Sequence, residues 1–215
     1  PELAAFLRET AVLRELTPEA CDALRARADS AALLERLRER DLFVAELGDG
    51  HFRYHPVFHE FLRQQAAAEA PARHRLAAAH FAARGDDAEA IRHWLAAGAL
   101  AEAAAAVERA GEAALRAGRL DTLASWIDAL PPAALAQRPR LLAYLGDLCR
   151  LRSRFDEALS WHAQAERAAR ERGDRAGASR ALRGQALVYL DQVQPAQAES
   201  LLQEALRLSD GLHDQ

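Results

Sequence analysis

Three histidines stand four residues apart in HFRYHPVFHEFLRQQ, at His51, His55 and His59. On one uninterrupted helix this spacing would stack three imidazoles on a single face and make a plausible zinc trio. Pro56 excludes that arrangement. A proline disfavours the α conformation in the residue before it and suits the first position of a helix. His55 is therefore predicted to be extended, with a helix starting at Pro56. His51 and His55 then fall on a strand and His59 in the first helical turn, and no cysteine or carboxylate pair completes a ligand set. No metal is expected. The spacing instead puts the His55 imidazole directly before a helix N-terminus, where unpaired backbone N–H groups and the positive end of the helix dipole favour an anion. A histidine tucked against Tyr54 and Phe58 with no ligand role is the alternative reading.

A second candidate is the run of arginines Arg138, Arg140, Arg150, Arg152 and Arg154. If several point into one groove, they could receive an acidic peptide or a sugar phosphate. A solvated polar face would look the same in sequence. Asp86, Asp87 and Asp121 read as helix caps and first-turn charges. Trp94, Trp126 and Trp161 read as helix-packing anchors, with ligand stacking as the lesser alternative. His74, His80, His93 and His162 fall on different predicted helices, and no nucleophile–base set or glycine-rich loop stands out, so no enzymatic activity is expected.

These residues sit in a chain built from helix formers. Half of its 215 residues are apolar and 28 % are charged; all 28 basic residues are arginine, and lysine, methionine and asparagine do not occur. An all-α prior follows. A net charge of −4 argues against a dedicated nucleic-acid binder, which needs a concentrated basic face. Cys21 and Cys149 lack metal or redox spacing and read as buried thiols of a reducing cytoplasm, with a disulfide as the lesser alternative. The longest apolar run, 96–107, is too short and too weakly apolar to span a bilayer, and the start shows no signal peptide. The start at Pro1 reads as a piece cut from something longer.

Along residues 1–70 the pattern is three helices, a hairpin and a helix. Thr17-Pro18-Glu19 is an N-cap with proline in the first helical position, and Ser30 reads as the cap of SAALLERLRERD. LFVAEL and HFRYH flank Gly48-Asp49-Gly50, a hairpin signal, which gives a winged-helix arrangement. Residues 71–138 read as an arm of antiparallel helical hairpins, and residues 139–215 as tetratricopeptide-like repeats. Predicted helices cover 72–84, 86–97, 99–117, 119–130, 139–151, 155–172, 175–191 and 195–209. An offset of 40 residues superposes Ala158 on Ala198 and Ala165 on Ala205, with Gly146 and Ala186 each twelve residues before the first alanine of its copy. Small residues at those places let helices cross closely, which predicts an α-solenoid with a concave surface. The fold class is thus all-α with a small β-hairpin wing, a winged-helix domain followed by a solenoid of repeat-like hairpins.

The succession FLRETAVLRELTPEACDAL, SAALLERLRERDLFVAEL, FRYHPVFHEFLR, AIRHWLAAG, GRLDTLASWIDALP and RPRLLAYLGDL resembles the central part of the MalT-like, ATP-dependent LuxR-family activators, of the STAND class of signal-transduction ATPases. That resemblance implies a nucleotide-binding domain before this region and a DNA-binding helix-turn-helix after it. This sequence has no GxxxxGK[ST] and no lysine to serve a phosphate loop, so no cofactor is expected on these residues, and ADP or ATP is implied only for a full-length protein. In related plant immune and apoptotic ATPases a winged-helix histidine contacts the β-phosphate of ADP. Tyr54-His55-Pro56 matches its place, without the flanking methionine and aspartate, and the resemblance makes His55 the nucleotide-sensing residue.

Three functions follow as expectations. The first is a regulatory region that couples nucleotide state, through the winged helix, to an inducer, peptide or protein on the solenoid. Its partner would be the protein's own nucleotide-binding domain, and DNA would be reached only through another domain. The second is a stand-alone interaction scaffold. The third is a DNA-binding winged helix, for which Ser30–Arg40 offers Arg36, Arg38 and Arg40, interleaved with Glu35, Glu39 and Asp41.

Overall fold

The computed structural model describes residues 2–40 and 42–210, so Pro1, Asp41 and residues 211–215 lie outside the described residues. They form two compact units that divide between Ala103 and Ala104. The first opens with helices α1 (Glu2–Thr10), α2 (Pro18–Arg25) and α3 (Ser30–Glu39). Strands β1 (Val44–Gly48) and β2 (His51–Tyr54) pair antiparallel, with Val44 opposite Tyr54 and Glu46 opposite Phe52. Gly48, Asp49 and Gly50 turn the hairpin with φ of 105°, 52° and 76°, left-handed values that favour glycine and are tolerated by aspartate. Leu16 adds a short third rung: its N–H donates to Phe52 O at 2.7 Å, and Phe52 N–H donates back at 2.9 Å.

The wing is therefore fastened to the helices by backbone as well as by side chains. Phe6, Leu13, Leu16, Leu24, Leu34, Leu37, Phe52, Tyr54 and Leu62 share one buried core. The Thr17 hydroxyl caps α2 by accepting from Ala20 N–H at 3.2 Å. Ser30 does not cap α3. It is the first helical residue, with Asp29 in the cap position; its N–H donates to Asp22 Oδ1 and its hydroxyl accepts from the buried Arg25. The Arg25 guanidinium also pairs with Glu9 and Asp29, and Ser30 adds a further acceptor for it. The winged helix closes with α4 (Pro56–Gln65), and α5 (Ala70–Ala83) and α6 (Asp87–Ala96) follow as an antiparallel hairpin, with Ala77 joining the same core.

Leu100–Arg116 form α7, followed by α8 (Leu120–Asp128), α9 (Pro132–Ala136), α10 (Pro139–Leu151), α11 (Phe155–Glu171), α12 (Arg175–Asp191) and α13 (Pro195–Asp210). The short helix α9, where the sequence suggested only a Pro-Pro break, starts with Pro132 in its first turn, a position where the missing N–H costs nothing. From α10 to α13 each helix packs on the next, and α10 also touches α12. Gly146, Ala158, Ala165, Ala186, Ala198 and Ala205 are all buried, as close helix crossing requires. Trp161 packs against two clusters of the repeat core, one that includes Ala165 and Ala181 and one that includes Ala158 and Val188. Cys21 and Cys149 are buried free thiols in different units; burial pushes Cys21 up to about 12, well beyond the range of a reactive thiolate.

Candidate functional site

β2 ends at Tyr54, and His55 takes φ −57° and ψ 133°, the extended conformation that Pro56 imposes. His55 N–H donates to Phe43 O at 2.7 Å, and its carbonyl accepts from His59 N–H at 2.8 Å as α4 begins. The backbone of His55 is thus fixed on both sides while its side chain is exposed. It is the neighbours that are tucked in. Tyr54 is buried and meets Phe58 edge-on at 6.2 Å and the His59 ring at 5.4 Å.

The three histidines of the opening motif part company. The His51 ring pairs with Glu15 on the linker before α2. His59 is half-buried, its Nε2 2.7 Å from Ala11 O, where burial lowers its pKa. His55 faces solvent beside exposed apolar side chains: Phe43 is 57 % exposed, Val57 75 % and Phe61 53 %. Phe43 stacks on Phe58 at 4.6 Å, and Phe58 on Phe61 at 6.3 Å. The mouth of α4 is an anion-compatible end flanked by an aromatic surface.

The five arginines of the proposed groove are all engaged within the chain. Arg138 pairs with Glu108 at 2.8 Å, Arg140 with Glu112 at 3.3 Å, Arg150 with Asp191 at 2.9 Å and Arg152 with Asp121 at 2.7 Å, while Arg154 pairs with Glu157 one turn on. Arg138 and Arg140 open α10, whereas Arg150, Arg152 and Arg154 lie at and beyond its far end. At 1.5 Å per residue the two groups are about 18 Å apart along the helix. The structure does not bring them together as one cluster. Four of the five pairs tie different segments of the repeat unit to one another. On α3, Arg36 pairs with Glu2 and Arg38 with Glu35, so two of the three basic residues offered to DNA are also paired with carboxylates.

Two histidine sites escaped the sequence reading. His74 and His93, on α5 and α6, meet with their Nδ1 atoms 2.7 Å apart, and His93 is fully buried and stacked on Phe81. Arg92 donates to His93 Nε2 at 2.6 Å. That leaves Nδ1 of His93 to carry the proton and donate it to Nδ1 of His74. Burial, then Arg92, drives His93 down to about 2, and burial drives His74 down to about 4. The antiparallel folding of α5 and α6 about Gly85 was the available signal. In the repeat unit, His162 is buried with neither ring nitrogen hydrogen-bonded, wedged between Gly146 and Gly184 and 3.7 Å from Asp147.

Comparison with known proteins agrees with this architecture. Residues 1–74 match the MalT winged helix domain family and residues 137–210 the tetratricopeptide repeat family. The chain is 32 % identical over 217 aligned residues to the HTH-type transcriptional regulator MalT of Serratia proteamaculans, covering 96 % of this chain and 24 % of that protein. It is 31 % identical over 214 residues to the protein of the same name from Yersinia pestis, covering 94 % and 24 %. The chain spans about a quarter of the length of the curated relatives it matches. With a wing fastened to its helices, a run of close-crossing hairpins and this similarity along nearly its whole length, the chain matches a winged-helix and tetratricopeptide-like region of the MalT transcriptional regulators.

Proposed function

We propose that this region couples nucleotide state to ligand or protein binding in an ATP-dependent transcriptional activator. The winged helix acts as a clamp on a nucleotide-binding module, and the repeats receive an inducer or partner. The observation that carries this reading is the exposed His55 imidazole at the N-terminus of α4. A phosphate there would meet the helix dipole and a side-chain donor together. The exposed Phe43, Val57 and Phe61 alongside are the surface such a module would cover. Nucleotide at His55 favours the closed form, inducer on the repeats favours the open one, and the two are linked as a population shift.

The DNA-reading alternative is disfavoured by the ion pairs that occupy Arg36 and Arg38. The test uses a full-length regulator carrying His55→Ala. ADP is expected to be released at least tenfold faster, with transcription rising in the absence of inducer. Unchanged ADP retention together with unchanged basal transcription would end the assignment.

A further inference from the structure

A cleft of 570 Å³ in the first unit is lined by Arg14, Arg63, Arg92 and His74, and its remaining lining is alanine, Val12 and Pro71. No carboxylate lines it. Several other arginines of this acidic chain pair directly with carboxylates, among them Arg25, Arg138 and Arg170. Among the described residues Arg14 and Arg63 make no ion pair or hydrogen bond, and both are exposed. Their charges converge. All three guanidiniums line the same cleft, and the nearby charges of Arg92 and Arg63 oppose protonation of His74 while those of Arg92 and Arg14 oppose that of His93.

The cleft is also partly preorganised. Arg92 is clamped by Glu89 through Nε, at 3.1 and 2.9 Å to the two carboxylate oxygens, and by its Nη2 bond to His93. The proton relay from His93 Nδ1 to His74 Nδ1 leaves His74 to carry its own proton on Nε2, as a fixed donor. Three guanidiniums and one imidazole N–H above an apolar floor form an oxyanion receptor of the size that small ligands occupy. Arg14 and Arg63, neither paired with a carboxylate among the described residues, suit a dianion better than a monoanion, while Arg92, whose charge Glu89 offsets, adds its remaining N–H donors. The floor of Val12, Pro71 and alanines suits an apolar body and cannot hydrate a bare ion.

We propose that this cleft binds a small organic phosphate monoester, its head held by Arg14, Arg63 and Arg92 and its apolar body against Val12 and Pro71. The site is separate from the mouth of α4, because Arg63 sits in the last turn of that helix and His55 precedes its first.

The test is calorimetric titration of the 215-residue chain with phenyl phosphate, alongside inorganic phosphate, phenylacetate and phenol. Phenyl phosphate is expected to bind at least tenfold more tightly than any of the other three. Arg14→Ala and Arg63→Ala, both at exposed positions, are each expected to weaken it about tenfold without shifting the melting temperature. His55→Ala is expected to leave it unchanged. Equal binding of phenylacetate would overturn the phosphate assignment, equal binding of inorganic phosphate would overturn the role of the apolar floor, and loss through His55→Ala would move the site to α4. Unaltered affinity in both arginine variants would overturn the proposal outright.

Discussion

The Tyr54 hydroxyl lies 2.6 Å from Thr10 Oγ1, joining the last residue of the wing to the last residue of the first helix. Thr10 spends its own proton on Phe6 O, 2.7 Å away, so Tyr54 must donate. Burial raises the Tyr54 pKa and keeps that donor protonated. Because His55 follows directly, this buried bond helps hold the strand end from which the candidate sensor projects. Tyr54→Phe removes the donor but leaves the ring packing, and Thr10 Oγ1 still has a proton to give. A loss of about 1 kcal/mol in urea unfolding is expected. A Thr10→Val, Tyr54→Phe pair should cost less than the sum of the two single changes.

In the repeat unit a Cβ on Gly146 would sit 2.6 Å from His162 Nε2, and one on Gly184 would meet the other side of the same ring. The imidazole is held from both sides and cannot swing clear. Gly184→Ala is therefore expected to cost about 1–3 kcal/mol by overpacking. The combination of His162→Ala with Gly184→Ala should recover part of that loss, measurable as a coupling energy in a double-mutant cycle.

Acid should weaken the first unit more than the repeats. His74 and His93 have folded pKa values of about 4 and about 2, both below the unfolded value of roughly 6.5. Their neutral forms stabilise the fold fully above pH 6.5, and that stability is lost as pH falls, with a slope approaching about 1.4 kcal/mol per pH unit for each proton taken up on unfolding. His162, pushed down to about 4, acts in the same direction in the repeats. Asp147 opposes it: burial raises its pKa to about 6, so its contribution appears as pH falls through 6 and is complete below 3.8. Residue-resolved hydrogen exchange at pH 7, 6 and 5 should show protection falling faster in α5 and α6 than in α10 and α11. A His93→Leu chain should show a flatter pH dependence in the first unit.

The ion-paired arginines of α10 should matter unequally. Arg138 and Glu108 are each about three-quarters buried, with side-chain exposures of 28 % and 24 %, whereas Asp121, the partner of Arg152, is fully exposed. Arg138→Ala is expected to lower stability by about 1 kcal/mol, or roughly 2–4 °C in Tm for a chain of this size. Arg152→Ala should leave Tm within error. Raising salt from 50 mM to 500 mM should reduce the effect of Arg138→Ala only partly, because a largely buried pair is screened less than an exposed one.

Much of the architecture was legible in the linear pattern. Eight helices from residue 72 onward appear within a few residues of where glycine and proline punctuation puts them, because those residues act on their own backbone. The hairpin about Gly48-Asp49-Gly50 and the extended His55 before Pro56 were legible for the same reason. Ser30 was misread because its hydroxyl is claimed by Arg25, a partner fixed only once α2 and α3 pack. The helix at Pro132 was missed because a Pro-Pro pair ends one helix and can also begin another.

By itself the sequence determined the local conformations, the apolar stripes and the small residues at the helix crossings, since each depends on residue type and near-neighbour sterics. It also placed a histidine before a helix whose start a proline fixes. Only tertiary packing decided which charges meet. It paired four of the five arginines of the expected groove with carboxylates from elsewhere in the repeat unit, seated His93 against His74, and gathered Arg14, Arg63 and Arg92 around a cleft with no carboxylate in its lining. Side chains far apart in the chain acquire a common electrostatic environment only when the backbone brings them within a few ångströms, and no periodicity in the sequence encodes that distance.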